Sequence, residues 1–442
     1  MDINKDYQDT KSKSRILLAS WIGSVIEWYD YSLYGTAAAL VFAHLFFPNV
    51  SGVVGTVATF GTFAVGFVAR PLGGIVAGHF GDKIGRKATL VLTLMTMGIA
   101  TALIGCLPTY AQAGIWAPVL LVLLRLVQGF AVGGEWGGAA LMAVESAPSG
   151  KAGFFGAFPQ TGVSAGMVLG TGAFALISSV MSNETFLSVG WRIPFLISIV
   201  LAALGLYVRF KIGESPVFEE IRRTKKQLRN PLGEALRCHW KEVLLAIGSR
   251  CAEAGNYYIY TVFVLSYVAQ HTSITRSAAL LCVMLAGVVN VLLIPLSGAV
   301  SDRIGRRPVI ITGALFLTMM AYPFFLMAGS GSVMYLGLGL VLTLGLGHAI
   351  VYGPIAAYYC ELFPATMRYS GMSIAYQVVS IVLGGFTPLF ASMLLVWSNG
   401  AILSVVALVA ITSFIAALTM MFSRETAPHL DSRAERETVR RI

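Results

Sequence analysis

Seven ionisable side chains sit inside long apolar runs of this chain: Glu27, Asp30, Arg70, Arg125, Glu135, Arg250 and Glu253. A charged group at the centre of a bilayer costs roughly 2.5–3.5 kcal/mol on the insertion scale, so each needs a reason to be there. The chemistry on offer is of two kinds. A carboxylate partly withdrawn from water can take up and release a proton near neutral pH, whereas a guanidinium keeps its proton. A guanidinium instead presents a planar fork that matches a carboxylate with two parallel hydrogen bonds. Four acids against three arginines leave one net negative charge, so one carboxylate is suited to carry a proton. Asp30 is the first choice, with Glu135 and Glu27 behind it. Arg70 and Arg250, with Arg125 on the outer approach, point to an anionic solute. The plain alternative is that these charges form static pairs, for example Arg250 with Glu253 one turn on.

Tyr34, Gln160, Tyr257, Tyr260, His348, Tyr352 and Gln377 add hydroxyl, amide and imidazole groups suited to a polyhydroxylated or multi-carboxylate solute. Glu253 belongs with them as a substrate-site acid. A single Tyr or Gln in an apolar helix more often serves as a contact between helices, and His348 is open as ligand or proton relay. Helical spacing groups Glu27, Asp30, Tyr31 and Tyr34 on one face, Arg125, Gln128 and Glu135 on a second, and Arg250, Glu253, Tyr257 and Tyr260 on a third. Each face is expected to line a shared cavity, because facing lipid would leave the charges without partners.

The elements that must position these groups follow from composition. Of 442 residues, 56% are hydrophobic and only 12% charged. Residues 308–360 and 369–423 contain no Asp, Glu, Lys or Arg. A bilayer helix needs about 20 apolar residues, and runs of this length have no use in a soluble core. A soluble enzyme, a nucleic-acid binder and a secreted disulfide scaffold are excluded, and the five cysteines form no Cys-x-x-Cys pair. Division at charged and Pro/Gly-rich breaks gives twelve apolar segments. The reading is an all-α integral membrane protein with twelve transmembrane helices in two pseudo-symmetric six-helix bundles. Its parts are a tail at 1–15, a first bundle at 16–210, a linker with amphipathic helices at 211–241, a second bundle at 242–422 and a tail at 423–442.

Orientation comes from the positive-inside rule. With the N-terminus cytoplasmic, 26 of the 31 Lys and Arg collect on the inner side, which accounts for the net charge of +10 without nucleic acid. Depth along the helices at 1.5 Å per residue then puts six of the seven intramembrane charges about 13–22 Å from the inner surface, with Arg125 farther out. Glu27 and Asp30 within the first segment argue against a cleaved signal peptide.

The chain also repeats itself. Gly81-Asp-Lys-Ile-Gly-Arg-Lys87 recurs as Ser301-Asp-Arg-Ile-Gly-Arg-Arg307, Glu145-Ser-Ala-Pro148 as Glu361-Leu-Phe-Pro364, and Glu214-Ser-Pro more loosely as Glu425-Thr-Ala-Pro. Duplicated halves with a site at their interface are a transporter architecture. Asp82 and Asp302 can cap a following helix or face the positive end of a helix in the other half. Arg86, Lys87, Arg306 and Arg307 can pair with Glu145, Glu361 or Glu214. The second copy begins with Ser301 in place of Gly, so a less tight turn is expected there. No Walker A run and no hydrolase or metalloprotease motif occurs, so neither ATP-driven pumping nor an enzyme is indicated.

The Gly81–Lys87 loop and its copy resemble the loop signature of the major facilitator superfamily. The run from Arg125 to Ala139, Glu27-Trp-Tyr-Asp-Tyr31 and Arg70-Pro-Leu-Gly-Gly74 resemble its metabolite–proton symporter branch. Trp191-Arg-Ile-Pro-Phe195 and the Arg250/Glu253 spacing are similar to the shikimate-type carriers within it. The resemblance implies the major facilitator fold and proton-coupled uptake of a small organic acid by alternating access. The duplicated loops Asp82/Arg86/Lys87 and Asp302/Arg306/Arg307, with Glu145 and Glu361, would latch the outward-facing state. It further implies a functional monomer in a bacterial inner membrane, with protons and a small organic anion as partners and no cofactor or metal. Carriers of α-ketoglutarate, citrate and zwitterionic osmolytes share most of these motifs. Uptake of proline or betaine, exchange or export, and a non-transporting sensor therefore stay open.

Overall fold

The computed structural model describes residues 3–49, 52–84, 86–133, 136–210, 236–364, 368–428 and 430. Twelve helical segments run through them in sequence, and no strand occurs among the described residues. In the first half α1 begins as Ile3–Ala37 and is followed by α2 (Gly52–Ile84) and α3 (Arg86–Cys106). Then come α4 (Trp116–Val132 and Trp136–Glu145), α5 (Ala152–Val180) and α6 (Arg192–Phe210). In the second half α7 covers 240–271 in pieces, followed by α8 (Arg276–Ile304) and α9 (Arg306–Gly329). The last three are α10 (Val333–Leu362), α11 (Ser370–Trp397) and α12 (Leu403–Phe422).

Among the described residues, α5 and α8 to α12 are each long and apolar enough to cross a membrane without a break. The segment Asn183–Gly190 joins α6 at a bend of 42° to make a further candidate. The remaining segments carry the intramembrane charges or are broken, except α3, whose apolar stretch Val91–Cys106 is shorter. Leu176, Leu292, Met319 and Phe422 are exposed on the perimeter, where an acyl chain is their natural neighbour.

Packing repeats with an offset of six helices. Within the first half α1 packs on α5, α2 on α4 and α3 on α6; within the second, α7 packs on α11, α8 on α10 and α9 on α12. The seam between halves repeats as well, with α5 against α8 and α2 against α11. The duplicated sequence therefore builds a duplicated packing pattern. Close approach in the first half depends on glycine. A Cβ on Gly129 would fall on the Gly66 carbonyl, and one on Gly133 on the Arg70 carbonyl, so α2 and α4 meet backbone to backbone.

Four of these helices are widened into π turns, at Ala38–Phe42 in α1, Ile259–Phe263 in α7, Val341–His348 in α10 and Ser380–Gly385 in α11. A π turn takes in an extra residue and rotates the next turns of the helix relative to the 3.6-residue period.

Candidate functional site

The first half gathers its charges around one ring. The guanidinium carbons of Arg70 and Arg125 lie 4.2 and 4.0 Å from the centroid of Tyr31. Arg70 also lies over Phe67, and Arg125 over Tyr34 at 4.2 Å. Both arginines are buried. The two guanidiniums share Tyr31 but not their other neighbours: Arg125 reaches Tyr34 and Phe63, farther along α1 and nearer the start of α2 than Trp28 and Phe67, which Arg70 reaches, so Arg125 stands the farther out of the two. Tyr34 donates to Thr62 at 2.7 Å. Arg125 Nη1 donates to Gln128 at 3.1 Å, and Gln128 donates to Thr101 on α3 at 2.7 Å. On each arginine Nε and Nη2 are buried without a hydrogen-bond partner. Those two nitrogens form one edge of the guanidinium, the edge a carboxylate takes side-on.

Asp30 is buried, but it turns away from the space between the halves. Ser198 on α6 donates to its Oδ1 at 2.6 Å, and Thr101 is a second hydroxyl neighbour. The expectation that the whole α1 stripe lines a shared cavity is corrected here. A helix face about 100° wide spans two environments, and Asp30 falls on the side packed against α3 and α6. Glu27 is also buried and has a partner. Glu135 lies outside the described residues.

In the second half Arg250 and Glu253 form an ion pair at 2.6 Å. Arg250 Nη1 also donates to the Tyr376 carbonyl and to Ser380, each at 2.8 Å, and its carbon stands 3.4 Å from the Tyr376 ring centroid. Glu253 faces His348 Nε2 at 3.8 Å. The rings of Tyr257 and Tyr352 flank His348 at 5.1 and 5.2 Å between centroids. Arg250, Glu253, Tyr257, His348 and Tyr352 are therefore brought together. Tyr260 is not, since its ring packs on Phe324 of α9 at 4.8 Å. Helix α7 is interrupted at Arg250 and widened over Ile259–Phe263, so the regular period that put Tyr260 on this stripe does not hold.

A narrow void with room for about one water lies where the halves meet, with Trp28, Tyr31, Phe63, Tyr257 and Tyr258 among its walls. Toward one end of the molecule a wide cleft opens between the halves, past His44, Asn183, His271 and Arg276. Toward the other end the halves are tied together. Gln160 on α5 donates to the carbonyl of Tyr352 at 2.9 Å, and Gln377 on α11 to that of Gly133 at 2.8 Å. Trp136 and Tyr376 stack with centroids 3.8 Å apart. Gln160 and Gln377 therefore lie in the closed seam, bonded to backbone.

The second loop copy completes that end. Asp302 accepts from the backbone N–H groups of Gly153 and Phe154, at 2.7 and 2.9 Å, and so sits on the N-terminus of α5 in the other half. Arg306 bridges Asp302 at 2.7 Å and grips Glu361 with two bonds of 3.1 and 2.9 Å. Glu145 faces Arg368 at 3.6 Å. Among the described residues Arg307 pairs with neither Glu145 nor Glu361. Its side chain donates to the carbonyls of Met420 and Met421, while Glu425 accepts from the N–H groups of Arg306 and Arg307. Ser301 does not loosen the turn, because it lies inside α8 and accepts from Arg306 at 2.8 Å. The turn itself is made at Gly305, whose φ of 103° suits glycine alone. The side chains of Asp82, Arg86 and Lys87, and the whole of 211–235 with Glu214, lie outside the described residues.

Sequence alone does not single out Thr101, Ser164, Ser198, Asn290, Tyr376 and Ser380. The available signal is an isolated polar residue in an apolar helix, clearest for Asn290 within Gly287-Val-Val-Asn-Val-Leu-Leu-Ile294.

Known proteins share this architecture. The sequence pattern of the Major Facilitator Superfamily matches residues 20–382 and 245–441. The chain is 45% identical to the shikimate transporter of Escherichia coli K12, over 93% of this chain and 94% of that one. It is 34% identical to a proline/betaine transporter of Salmonella typhimurium LT2, over 95% and 85%. A solved structure of the proton:xylose symporter XylE bound to 6-bromo-6-deoxy-D-glucose superposes with a TM-score of 0.74 at 17% identity, covering 98% of this chain and 99% of that one.

Proposed function

Because the chain belongs to the Major Facilitator Superfamily, we propose that this multi-pass membrane transporter takes up a small organic acid, a shikimate-like monocarboxylate first, together with protons. One observation carries the reading: Arg70 and Arg125 are both buried against the Tyr31 ring, each with an unpartnered Nε/Nη2 edge. A guanidinium withdrawn from water with free donors is costly unless an anion completes it. The aromatic faces beneath offset part of that cost in the empty state. A solute carboxylate offsets the rest.

The proton carrier in this reading is Asp30, with Glu27 and Glu135 as further acids of the layer. The run Arg125–Gln128–Thr101 ends beside Asp30, so a change of charge on the acid is felt at the anion fork. Arg250, Glu253, Tyr257, His348 and Tyr352 form the opposing wall, with Tyr34 behind Arg125. Positive-inside topology makes the closed end cytoplasmic, along with both termini, and the protein faces outward with its latch set. The latch consists of Asp302, Arg306 and Glu361 with Glu145, and by repetition Asp82, Arg86 and Lys87; Arg307 supports it through α12. The bundles divide at 211–241, and the membrane is the bacterial inner membrane.

A second reading has its own support. Trp28, Tyr31, Tyr257 and Tyr258 around the void would suit a quaternary ammonium beside a carboxylate, as in a betaine. Purified protein in proteoliposomes decides between them. Uptake of labelled shikimate under an inward pH gradient, abolished by a protonophore and competed by other small acids, supports the first. Competition by betaine or proline alone supports the second, and no uptake of either class removes both.

A further inference from the structure

Asn290 stands in the middle of α8, buried, and its side chain has partners on three sides. Its Nδ2 lies 2.7 Å from the Leu344 carbonyl and 3.3 Å from that of Gly345. Its Oδ1 accepts the hydroxyl of Ser164, which comes from α5 in the other half. Carbonyls only accept, so the NH₂ group must be the side that faces α10. The reverse orientation would set Oδ1 against two carbonyl oxygens.

That orientation decides a proton position elsewhere. The same Nδ2 lies 3.2 Å from Nδ1 of His348. Facing a donor, Nδ1 must be the accepting nitrogen, and the ring proton of the neutral imidazole stands on Nε2. Nε2 in turn is aimed at Glu253, 3.8 Å away, and is otherwise buried without a partner.

We propose that Asn290 is a positioning residue that holds His348 as the neutral Nε2–H form, making it a fixed donor toward the Glu253–Arg250 pair and not the carrier of the transported proton. A second proton on Nδ1 would point N–H at N–H. Relieving that clash means turning the amide, which loses the Leu344 bond and presents NH₂ to Ser164. The groups facing the ring are Glu253, Arg250 and Tyr257 from α7, Asn290 from α8 and Tyr352 from α10 itself, with Tyr376 of α11 behind Arg250. Because Ser164 orients the amide, the seating of one half on the other reaches the imidazole. The proposal rests on the carrier reading only for its transport readout.

The test is nuclear magnetic resonance of full-length protein in nanodiscs with isotope-labelled histidine, the His348 signal being assigned by its loss in His348→Gln. The expected result is a single neutral Nε2–H tautomer. Asn290→Asp, of the same size, supplies an acceptor in place of the donor and should move the ring proton to Nδ1. If that variant does not fold, Ser164→Ala should give a mixture of tautomers. A wild-type His348 that carries a proton on Nδ1 overturns the proposal. In vesicles Asn290→Asp should add a limb to the pH profile of uptake; an unmoved profile in folded protein also overturns it. Absence of uptake in the wild type would sink the carrier reading and leave the resonance result standing.

Discussion

Ser198 donates a hydrogen bond to Asp30 at 2.6 Å, tying the acid of α1 to α6 inside the first half. The proposed proton site is therefore separate from the solute site, and Thr101, Gln128 and Arg125 lie between them. A proton and an anion can then be bound at different places and still influence each other, through hydrogen bonds that strengthen or weaken together.

Asp30→Asn should abolish accumulation driven by a pH gradient and leave solute exchange intact. The amide keeps the shape and a partner for Ser198 but cannot change charge. The measurement is uptake under an imposed gradient beside counterflow in the same vesicles. Accumulation at the wild-type level would remove Asp30 from the role.

Arg125→Gln and Arg70→Gln should each weaken anion binding by about 10- to 100-fold, as expected for loss of charged hydrogen bonds worth about 1.5–3 kcal/mol. Arg125→Lys should not restore it, because an ammonium lacks the planar edge. Titration of the purified variants with the solute identified by the uptake screen checks both statements.

Asp302→Asn should loosen the closed end. Losing the charge at the N-terminus of α5 and the bridge to Arg306 removes on the order of 1–2 kcal/mol from that state, a factor of about 5–30 in its population. Cysteines placed on either side of the seam near Gly153 should react faster with a soluble thiol reagent. Transport slows, while solute affinity changes little.

Among the described residues, the open cleft carries Arg276, His44 and His271 on its lining and no acidic residue. Arg276, over the ring of Phe186 at 4.7 Å, should help to draw anions inward. Arg276→Gln should lower kcat/KM for an acid, and added salt should then matter less than in the wild type. A zwitterionic solute should show neither effect.

Much of this protein is set by local properties of the chain. Hydropathy over about 20 residues, the placement of Lys and Arg, and the repeated Asp82 and Asp302 loops determine the helices, the repeat and the presence of a buried charge layer, because each depends only on neighbouring residues. The tertiary structure decided where individual side chains point. Asp30 finds Ser198 168 positions away, Gln160 finds Tyr352 192 away, and Ser164 reaches Asn290 across the seam. Helical periodicity assigns a face, but a π turn such as Ile259–Phe263 shifts its phase, and a glycine contact such as Gly129 on Gly66 sets the height of one helix against another. Both arise from how helices pack, and packing is a property of pairs of segments that no single stretch of sequence contains.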